Sequence, residues 1–167
     1  MMNLLIDIGN SSAKVAISEN KKIIEDFRFV ELDTDKILDI INEYKIQNSA
    51  LSNVSTNNEK LKKILTENTS FYSFSNEIRI PFNCSYKLTD VGDDRLALMA
   101  AAHYDFPTEN VLVIDMGTCI TYDIKTSNNN YKAGGISPGL RMRIKSISDG
   151  AFKLNEITPT YPESLIA

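Results

Sequence analysis

The sequence predicts an α/β fold built from two related lobes. The segments LLIDIGNSSAK (4–14) and VLVIDMGTCIT (111–121) share one pattern, which is an apolar run, an Asp-x-Gly turn and a second apolar strand. Helical and strand patterns alternate between these two copies. A repeated opening of this kind indicates an internal duplication, and the alternation is typical of α/β proteins.

Hydrophobic periodicity predicts each element in chain order. Short apolar runs bounded by turn residues indicate strands, and apolar residues at i, i+3, i+4 and i+7 indicate helices. The expected elements are strands at 3–8, 13–18 and 23–30, a helix through Ile37, Ile40, Ile41 and Tyr44, a strand at 49–54, a helix at 57–67, a strand at 69–74, a helix at 94–104, strands at 111–118, 119–125 and 131–137, and a helix at 140–149.

Two lobes that each begin with such a hairpin are typical of the actin-like (ribonuclease H-like) duplicated fold, in which the turns face a central cleft. We therefore expect an N-terminal lobe at 1–108 and a C-terminal lobe at 109–167. The second lobe is much shorter than the first, and glycine is absent after Gly150. We expect this lobe to be truncated, with the residues that bind adenosine lying beyond residue 167.

Composition excludes several other classes of protein. The chain has 167 residues, is 43% hydrophobic and carries a net charge of −4. Because Lys and Arg form no basic cluster, we expect no nucleic-acid partner. Cys84 and Cys119 form no CxxC pair, so a zinc site or a disulfide framework is not expected. The chain shows no signal peptide and no stretch long enough to cross a membrane, which predicts a soluble, cytoplasmic protein.

The two Asp-x-Gly turns are candidate phosphate-binding sites. In the first, Gly9 can adopt a positive φ and expose backbone N–H groups, while neighbouring side chains supply donors for phosphate oxygens. Asp7 would act through a cation or a water, and Lys14 could face the same anion. An ordinary hairpin turn would also explain this sequence, but the second copy at 115–118 favours the phosphate site.

Two further glycine-containing segments could complete the site. Asp93 and Asp94 begin a helix, where a carboxylate is stabilised by the helix dipole; either could simply be a helix cap. Arg95 could hold an acidic substrate through both arms of its guanidinium, or pair with Asp93. GGISPGL (134–140) joins a strand to a helix N-terminus, which suits either an anion or a tight connection.

The motifs DIGNSSAK (7–14), GDDR (92–95), DMGTCIT (115–121) and GGISPGL (134–140) occur in the order that resembles the type III pantothenate kinase family. The resemblance implies an actin-like homodimer that phosphorylates pantothenate in the first step of coenzyme A synthesis. It also implies ATP as the donor, Mg²⁺ with the ATP, and a monovalent cation, K⁺ or NH₄⁺.

The resemblance also implies a role for each matching residue. Asp94 would be the catalytic base, and Asp115 would hold the monovalent cation. Pantothenate would be bound by Tyr86, Gly92, Asp93, Asp94 and Arg95. ATP would be bound by Asp7, Ile8, Gly9, Asn10, Ser11, Ser12, Ala13, Lys14 and Thr118.

Other functions are compatible with the same fold. The chain could be an actin-like phosphohydrolase or a kinase for another small acid. It could also be a non-catalytic regulatory relative of the family. The presence of Asp7, Asp94 and Asp115 in their motifs favours an enzyme, because a binding relic has no need of all three carboxylates.

Overall fold

The structure is a computed structural model that describes residues 1–53, 58–73 and 79–150. Its strands are β1 (Met2–Ile8), β2 (Ala13–Glu19), β3 (Lys22–Phe29), β4 (Asn48–Asn53), β5 (Ser70–Ser73), β6 (Asn83–Cys84), β7 (Val111–Met116), β8 (Cys119–Lys125) and β9 (Asn130–Pro138). Its helices are α1 (Thr34–Tyr44), α2 (Glu59–Asn68), α3 (Asp93–Asp105) and α4 (Leu140–Gly150), with a short 3₁₀ turn at Leu88–Asp90.

The first sheet has five strands in the order β3-β2-β1-β4-β5. The hairpins β1–β2 and β2–β3 are antiparallel, whereas β4 and β5 run parallel to β1 because a helix connects each to the strand before it. Alternate residues of β1 point to one face, where they pack with the apolar stripe of α1. This cluster contains Leu4, Ile6, Ile8, Ile37, Ile40 and Ile41, together with Leu61 and Leu65 of α2.

Local sequence signals define the ends of α1. The carboxylate of Asp33 accepts a hydrogen bond of 2.9 Å from the backbone N–H of Asp35, which satisfies one of the free donors of the first turn. At the other end, Lys45 adopts the left-handed conformation, with a φ of 51°, and its N–H returns to the carbonyl of Ile41. Such a cap stops the helix and directs the chain into β4.

The second sheet has four strands in the order β6-β9-β8-β7. Strands β7, β8 and β9 are antiparallel neighbours, and the short β6 pairs parallel to β9. One face packs against α3 through a cluster that contains Phe82, Val91, Leu96, Met99 and Tyr131. Strand β6 and helix α3 therefore pack on the second sheet, although both precede residue 109; the lobe division at 1–108 and 109–167 stays a prediction.

The duplication is visible in the strands, but the two copies differ in burial. Leu4, Ile6 and Ile8 of β1 are 0%, 2% and 7% exposed beneath α1 and α2. The matching residues of β7 are Leu112, Ile114 and Met116, which are 58%, 49% and 73% exposed. Ile124 of β8 lies opposite Leu112 in the pairing and is also exposed. The outer face of β7 and β8 is thus an open apolar surface, called here the apolar face.

The α/β fold predicted from the sequence is confirmed, and both predicted hairpins, β1–β2 and β7–β8, are present in it. The predicted strands and helices correspond to β1–β5, β7–β9 and α1–α4, with ends that shift by one or two residues. Some predicted positions lie outside the described residues. They are position 54 of the fourth predicted strand, position 57 of the second predicted helix, position 74 of the fifth predicted strand and residues 151–167 of the predicted second lobe. The two-residue strand β6 and the 3₁₀ turn were not predicted, because neither carries a periodic pattern.

No helix in residues 1–53, 58–73 and 79–150 is both long enough and apolar enough to cross a bilayer.

Gly134 lies where β8 and β9 change register, and its position leaves no room for a side chain. A Cβ there would lie 2.2 Å from the carbonyl oxygen of Tyr122, whereas at Gly135 the nearest atom would be a ring carbon of Tyr122 at 3.7 Å. We expect Gly134→Ala to lower the free energy of unfolding by about 1–3 kcal/mol, because backbone must move. Gly135→Ala is the matched control, with an expected change within about 0.5 kcal/mol. Urea denaturation of both variants measures the difference; equal stabilities would contradict the steric argument.

Candidate active site

The two Asp-x-Gly turns meet in the folded chain. In the first turn (9–12) the N–H of Gly9 donates to the carbonyl of Ser12 at 3.1 Å, and in the second (117–119) the N–H of Gly117 donates to the carbonyl of Cys119 at 2.9 Å. The hydroxyl groups of Ser11 and Thr118 are 2.7 Å apart and hydrogen-bonded, although they are 107 positions apart in sequence. The fold therefore brings the donor groups of both copies to one exposed point.

Gly9 does not use the positive φ that glycine allows. Within the described residues no glycine has a positive φ, and a Cβ on Gly9 would make an ordinary contact of 3.5 Å with the carbonyl oxygen of Ser12. Four residues separate the paired positions Ile8 and Ala13, and hairpin loops of this length are usually built around a type I turn, which needs no left-handed residue.

Charged and polar side chains surround the first turn. The hydroxyl of Ser52, on β4, donates to the Asp7 carboxylate at 3.1 Å, and Lys14 Nζ lies 3.6 Å from its other oxygen. Arg28 Nε, on β3, donates to the Ser12 hydroxyl at 3.2 Å. Two cationic side chains therefore lie at the turn, where they can neutralise part of a phosphate charge.

The predicted ATP-binding residues of the first turn differ in what they expose. The side chains of Ile8 and Ala13 are buried in the first core, so only their backbone groups can face a ligand. Asn10 and Ser11 are exposed, and Ser12 is half-buried. The hydrogen-bonding groups of this turn thus come from backbone amides and three polar side chains.

The second turn is held by the glycine segment that follows β9. The N–H of Gly139 donates to the carbonyl of Thr118 at 2.9 Å, and a Cβ on Gly139 would lie only 2.3 Å from the carbonyl oxygen of Gly117. Glycine is required here because two stretches of backbone touch. Of the two alternatives considered for this segment, the tight connection is therefore present, and it supports the turn that carries Thr118.

The GDDR segment (92–95) lies at the start of α3, between the two sheets. Gly92 is the residue before the helix, and Asp93 and Asp94 form its first turn. An oxygen of Asp94 accepts a hydrogen bond of 2.8 Å from the N–H of Arg95, so this carboxylate does bond a first-turn amide. Burial raises the pKa of Asp93, while a backbone hydrogen bond from Asn53 at the end of β4 opposes the rise and the charge of Asp94 adds to it.

Arg95 pairs with a residue that the sequence analysis did not select. Its Nε and Nη2 donate to the two oxygens of Asp123, on β8, at 2.8 and 2.5 Å. Arg95 therefore forms its ion pair with Asp123 and not with Asp93, the partner considered from the sequence. The hydrogen bond with Asp123 raises the pKa of the guanidinium. The bidentate grip expected on a substrate carboxylate is therefore made on Asp123, and contact between Arg95 and a substrate stays a prediction.

Asp123 and Tyr131 are the residues of the candidate site that sequence reasoning missed. The hydroxyl of Tyr131 donates to Asp123 at 2.8 Å, and burial, followed by this hydrogen bond, raises the pKa of the phenol. The sequence does contain a signal for Asp123. In the strand CITYDIK, Asp123 is two positions from Thr121, so both side chains lie on the same face. A charged residue on the covered face of a strand needs a partner.

Tyr86 lies next to this buried network. Its side chain is 43% exposed, and its ring packs edge-to-face with the ring of Tyr131 at a centroid distance of 5.9 Å. The thiol of Cys84 donates to the carbonyl of Tyr86 at 3.5 Å, which ties the segment after β6 to its strand. Tyr86 and Arg95, predicted to bind the same substrate, are thus connected through Tyr131 and Asp123.

The residues present fit the two cations that the resemblance implies. Mg²⁺ that arrives with ATP needs one or two carboxylates beside the phosphates, and Asp7 offers such an oxygen beside the first turn. A monovalent cation needs oxygen ligands, and the half-buried Asp115 stands just before the second turn, opposite Thr121. Among the described residues there is no cluster of three or more His, Cys, Asp or Glu side chains placed to hold a metal ion.

Comparison with known proteins identifies the family. A sequence model of the type III pantothenate kinase family matches residues 3–167. The chain is 38% identical to the type III pantothenate kinase of Christiangramia forsetii over 99% of this chain and 69% of the relative. It is 36% identical to that of Phocaeicola vulgatus over 98% of this chain and 70% of the relative.

A solved structure shares the architecture. It is a crystal structure of a Campylobacter jejuni protein described as a conserved Baf family transcriptional activator, which is 31% identical to this chain and superposes with a TM-score of 0.55. The match covers 96% of this chain and 68% of that one. The order of the motifs, the duplicated hairpins and the match over nearly the whole sequence lead to one conclusion: this chain belongs to the type III pantothenate kinase family.

Proposed function

We infer that this chain transfers the γ-phosphoryl group of ATP to the 4′-hydroxyl of pantothenate, which is the first step of coenzyme A synthesis. The products are 4′-phosphopantothenate and ADP. The observation that carries this function is the 2.7 Å contact between Ser11 and Thr118, because it joins two phosphate-type turns at one point in a chain of this family. A single turn would be ordinary hairpin chemistry, whereas two converging turns can surround the phosphates of a nucleotide.

The two turns are proposed to hold the phosphates of ATP. Phosphoryl transfer depends mainly on positioning and charge neutralisation, and covalent chemistry by the protein is not required. Backbone amides of the first turn and the hydroxyls of Ser11, Ser12 and Thr118 are the donors. Lys14 lies on the strand that leaves the first turn and supplies a positive charge. Asp7 would hold the Mg²⁺ that accompanies ATP.

Asp94 is proposed as the general base. As the oxygen of the pantothenate hydroxyl bonds to the γ-phosphorus, the bond from that phosphorus to the ADP oxygen breaks, and the Asp94 carboxylate accepts the hydroxyl proton. Asp94 lies in the first turn of α3, where a negative charge interacts favourably with the helix dipole. Gly92, Asp93, Arg95 and Tyr86 are proposed to position pantothenate beside this base.

An ADP-release assay tests the substrate. The rate should rise with pantothenate and stay at its background value with sugars or glycerol. ADP release that does not respond to any acceptor would favour a phosphohydrolase, and a response to another small acid would favour a different kinase.

A second candidate is a non-catalytic regulatory role. It is favoured by the description of the Campylobacter jejuni structure as a transcriptional activator. Binding of both substrates without turnover would support this role.

Replacing the base should abolish most of the turnover. We expect Asp94→Asn to lower kcat by roughly 100-fold or more, because the amide keeps the shape and an acceptor oxygen but cannot take up the proton. The matched control is Asp105→Asn at the opposite end of α3, which should keep wild-type kcat. Steady-state kinetics at saturating ATP measures both variants. If Asp94→Asn turned over like the wild type, Asp94 would be a helix-capping residue alone.

The cation proposal concerns Asp115. When bound, a monovalent cation would neutralise part of the phosphate charge next to the second turn. We expect activity to rise with K⁺ or NH₄⁺ more than with Na⁺, and Asp115→Ala to lose both this dependence and most activity. The test is to measure the rate at increasing concentrations of KCl, NH₄Cl and NaCl, with the ionic strength held constant. Identical curves for K⁺ and Na⁺ in the wild type would disprove the assignment.

We also propose that two copies of the chain pair through the apolar face. The family resemblance implies a homodimer, and Leu112, Ile114 and Ile124 present an exposed surface that pairing would remove from water. Sedimentation velocity over a concentration series should show a dimer, and Ile114→Lys should shift it toward the monomer. Lys22→Glu, a charge change at an exposed residue of β3 in the first sheet, is the control. A wild-type chain that stays monomeric at every concentration would exclude the pairing.

A further inference from the structure

We propose that Asp123 and Tyr131 are positioning residues that hold Arg95 and Tyr86 in the orientation in which the pantothenate site uses them. This inference rests on the proposed function, since it concerns the same substrate site. It adds two residues from the second sheet that make no contact with the reacting atoms. Their role would be to fix residues that are proposed to contact the substrate.

The first argument is the environment of Asp123. Its side chain is 3% exposed, and the Arg95 side chain beside it is 11% exposed. A buried carboxylate is unfavourable unless it is paired and hydrogen-bonded, and Asp123 accepts three hydrogen bonds, two from Arg95 and one from Tyr131. Apolar residues of similar size would often stabilise a core as well or better. The pair is therefore better explained by what it orients than by stability.

The second argument is where Arg95 lies. It is the third residue of α3 and follows Asp94 directly, so a fixed Arg95 side chain also restrains the turn that carries the proposed base. The planar guanidinium is held at two of its nitrogens by the two oxygens of one carboxylate. Such a fork has a single orientation, unlike a lysine or a singly bonded arginine. Arg95 is thus preoriented before any substrate arrives.

The third argument is that Tyr131 contacts both halves of the substrate site. Its hydroxyl bonds Asp123, and its ring packs against Phe82 at 5.7 Å and against Tyr86 at 5.9 Å. Tyr131 itself is 2% exposed, so it has little freedom to move. One buried side chain therefore sets the distance between Tyr86, which follows β6, and Arg95 on α3.

The test separates positioning from simple destabilisation of the second sheet. Tyr131→Phe keeps the ring and deletes only the hydroxyl, and Asp123→Asn removes the charge and presents an amide N–H₂ to the donors of Arg95. The control is Lys125→Met, two residues along β8. Lys125 is buried and its amine donates to the carbonyls of Pro107 and Glu109, away from Arg95. This variant disturbs the same strand without touching the proposed network.

We expect Asp123→Asn to raise the KM for pantothenate about tenfold or more, and Tyr131→Phe to raise it about two- to fivefold, as loss of an ion-paired acceptor or of one hydrogen bond predicts. The KM for ATP should stay within about twofold of the wild type, because neither variant changes the two turns that are proposed to bind ATP. Lys125→Met should leave the KM for pantothenate unchanged, even if its Tm falls. Equal effects of all three variants on both KM values would overturn the proposal.

A second readout does not depend on activity. In ¹⁵N NMR spectra the Nε–H of Arg95 should exchange slowly with water in the wild type and rapidly in Asp123→Asn, whereas Lys125→Met should keep the slow exchange. If Asp123→Asn does not fold, Tyr131→Phe decides, and an unchanged KM for pantothenate with unchanged exchange would exclude the role. If the wild type shows no turnover with pantothenate, the proposed function fails, and the exchange rates alone determine whether Asp123 orients Arg95.

Discussion

The candidate site depends on one buried interaction, the ion pair between Arg95 and Asp123. It attaches the first turn of α3 to β8 of the second sheet, while Asp93 in the same turn accepts a hydrogen bond from Asn53 at the end of β4 in the first sheet. Removing one member of such a pair leaves a buried charge without a partner, which typically costs about 3–5 kcal/mol. The start of α3 is therefore bonded to both sheets, and the proposed base Asp94 lies between the two residues that make these bonds, Asp93 and Arg95.

The duplicated hairpins form the other part of the candidate site. Each is an antiparallel pair with a short turn, and the hydrogen bond between Ser11 and Thr118 brings their exposed donors together. The second turn is shorter and is packed against Gly139, whereas the first is surrounded by Lys14 and Arg28. The two copies thus share a backbone plan but offer different chemistry, with positive charge at one turn and close backbone packing at the other.

The copies also differ in what covers them. In the first sheet α1 and α2 exclude water from the inner face of β1, and apolar burial of this kind contributes about 25 cal/mol per Å². In the second sheet α3 covers the face that carries Asp123, Lys125 and Tyr131, and the opposite face of β7 and β8 is exposed. The covered side of the second sheet therefore combines apolar residues such as Val113 and Ala133 with the buried Asp123 and Lys125, whereas β7 and β8 carry large apolar residues on their exposed side.

The sequence by itself determined the order of the strands and helices, the duplication and the glycine-containing motifs, because these depend on local periodicity and turn chemistry. Local patterns also marked Asp7, Asp94 and Asp115. The partner of Arg95 could not be predicted, since Asp123 is 28 positions away and only the packing of α3 on β8 brings them together. The role of Gly139 could not be predicted either, because it depends on close contact with the backbone of Gly117. Contacts between distant segments arise from how the sheets and helices pack, and that packing is decided by the tertiary structure alone.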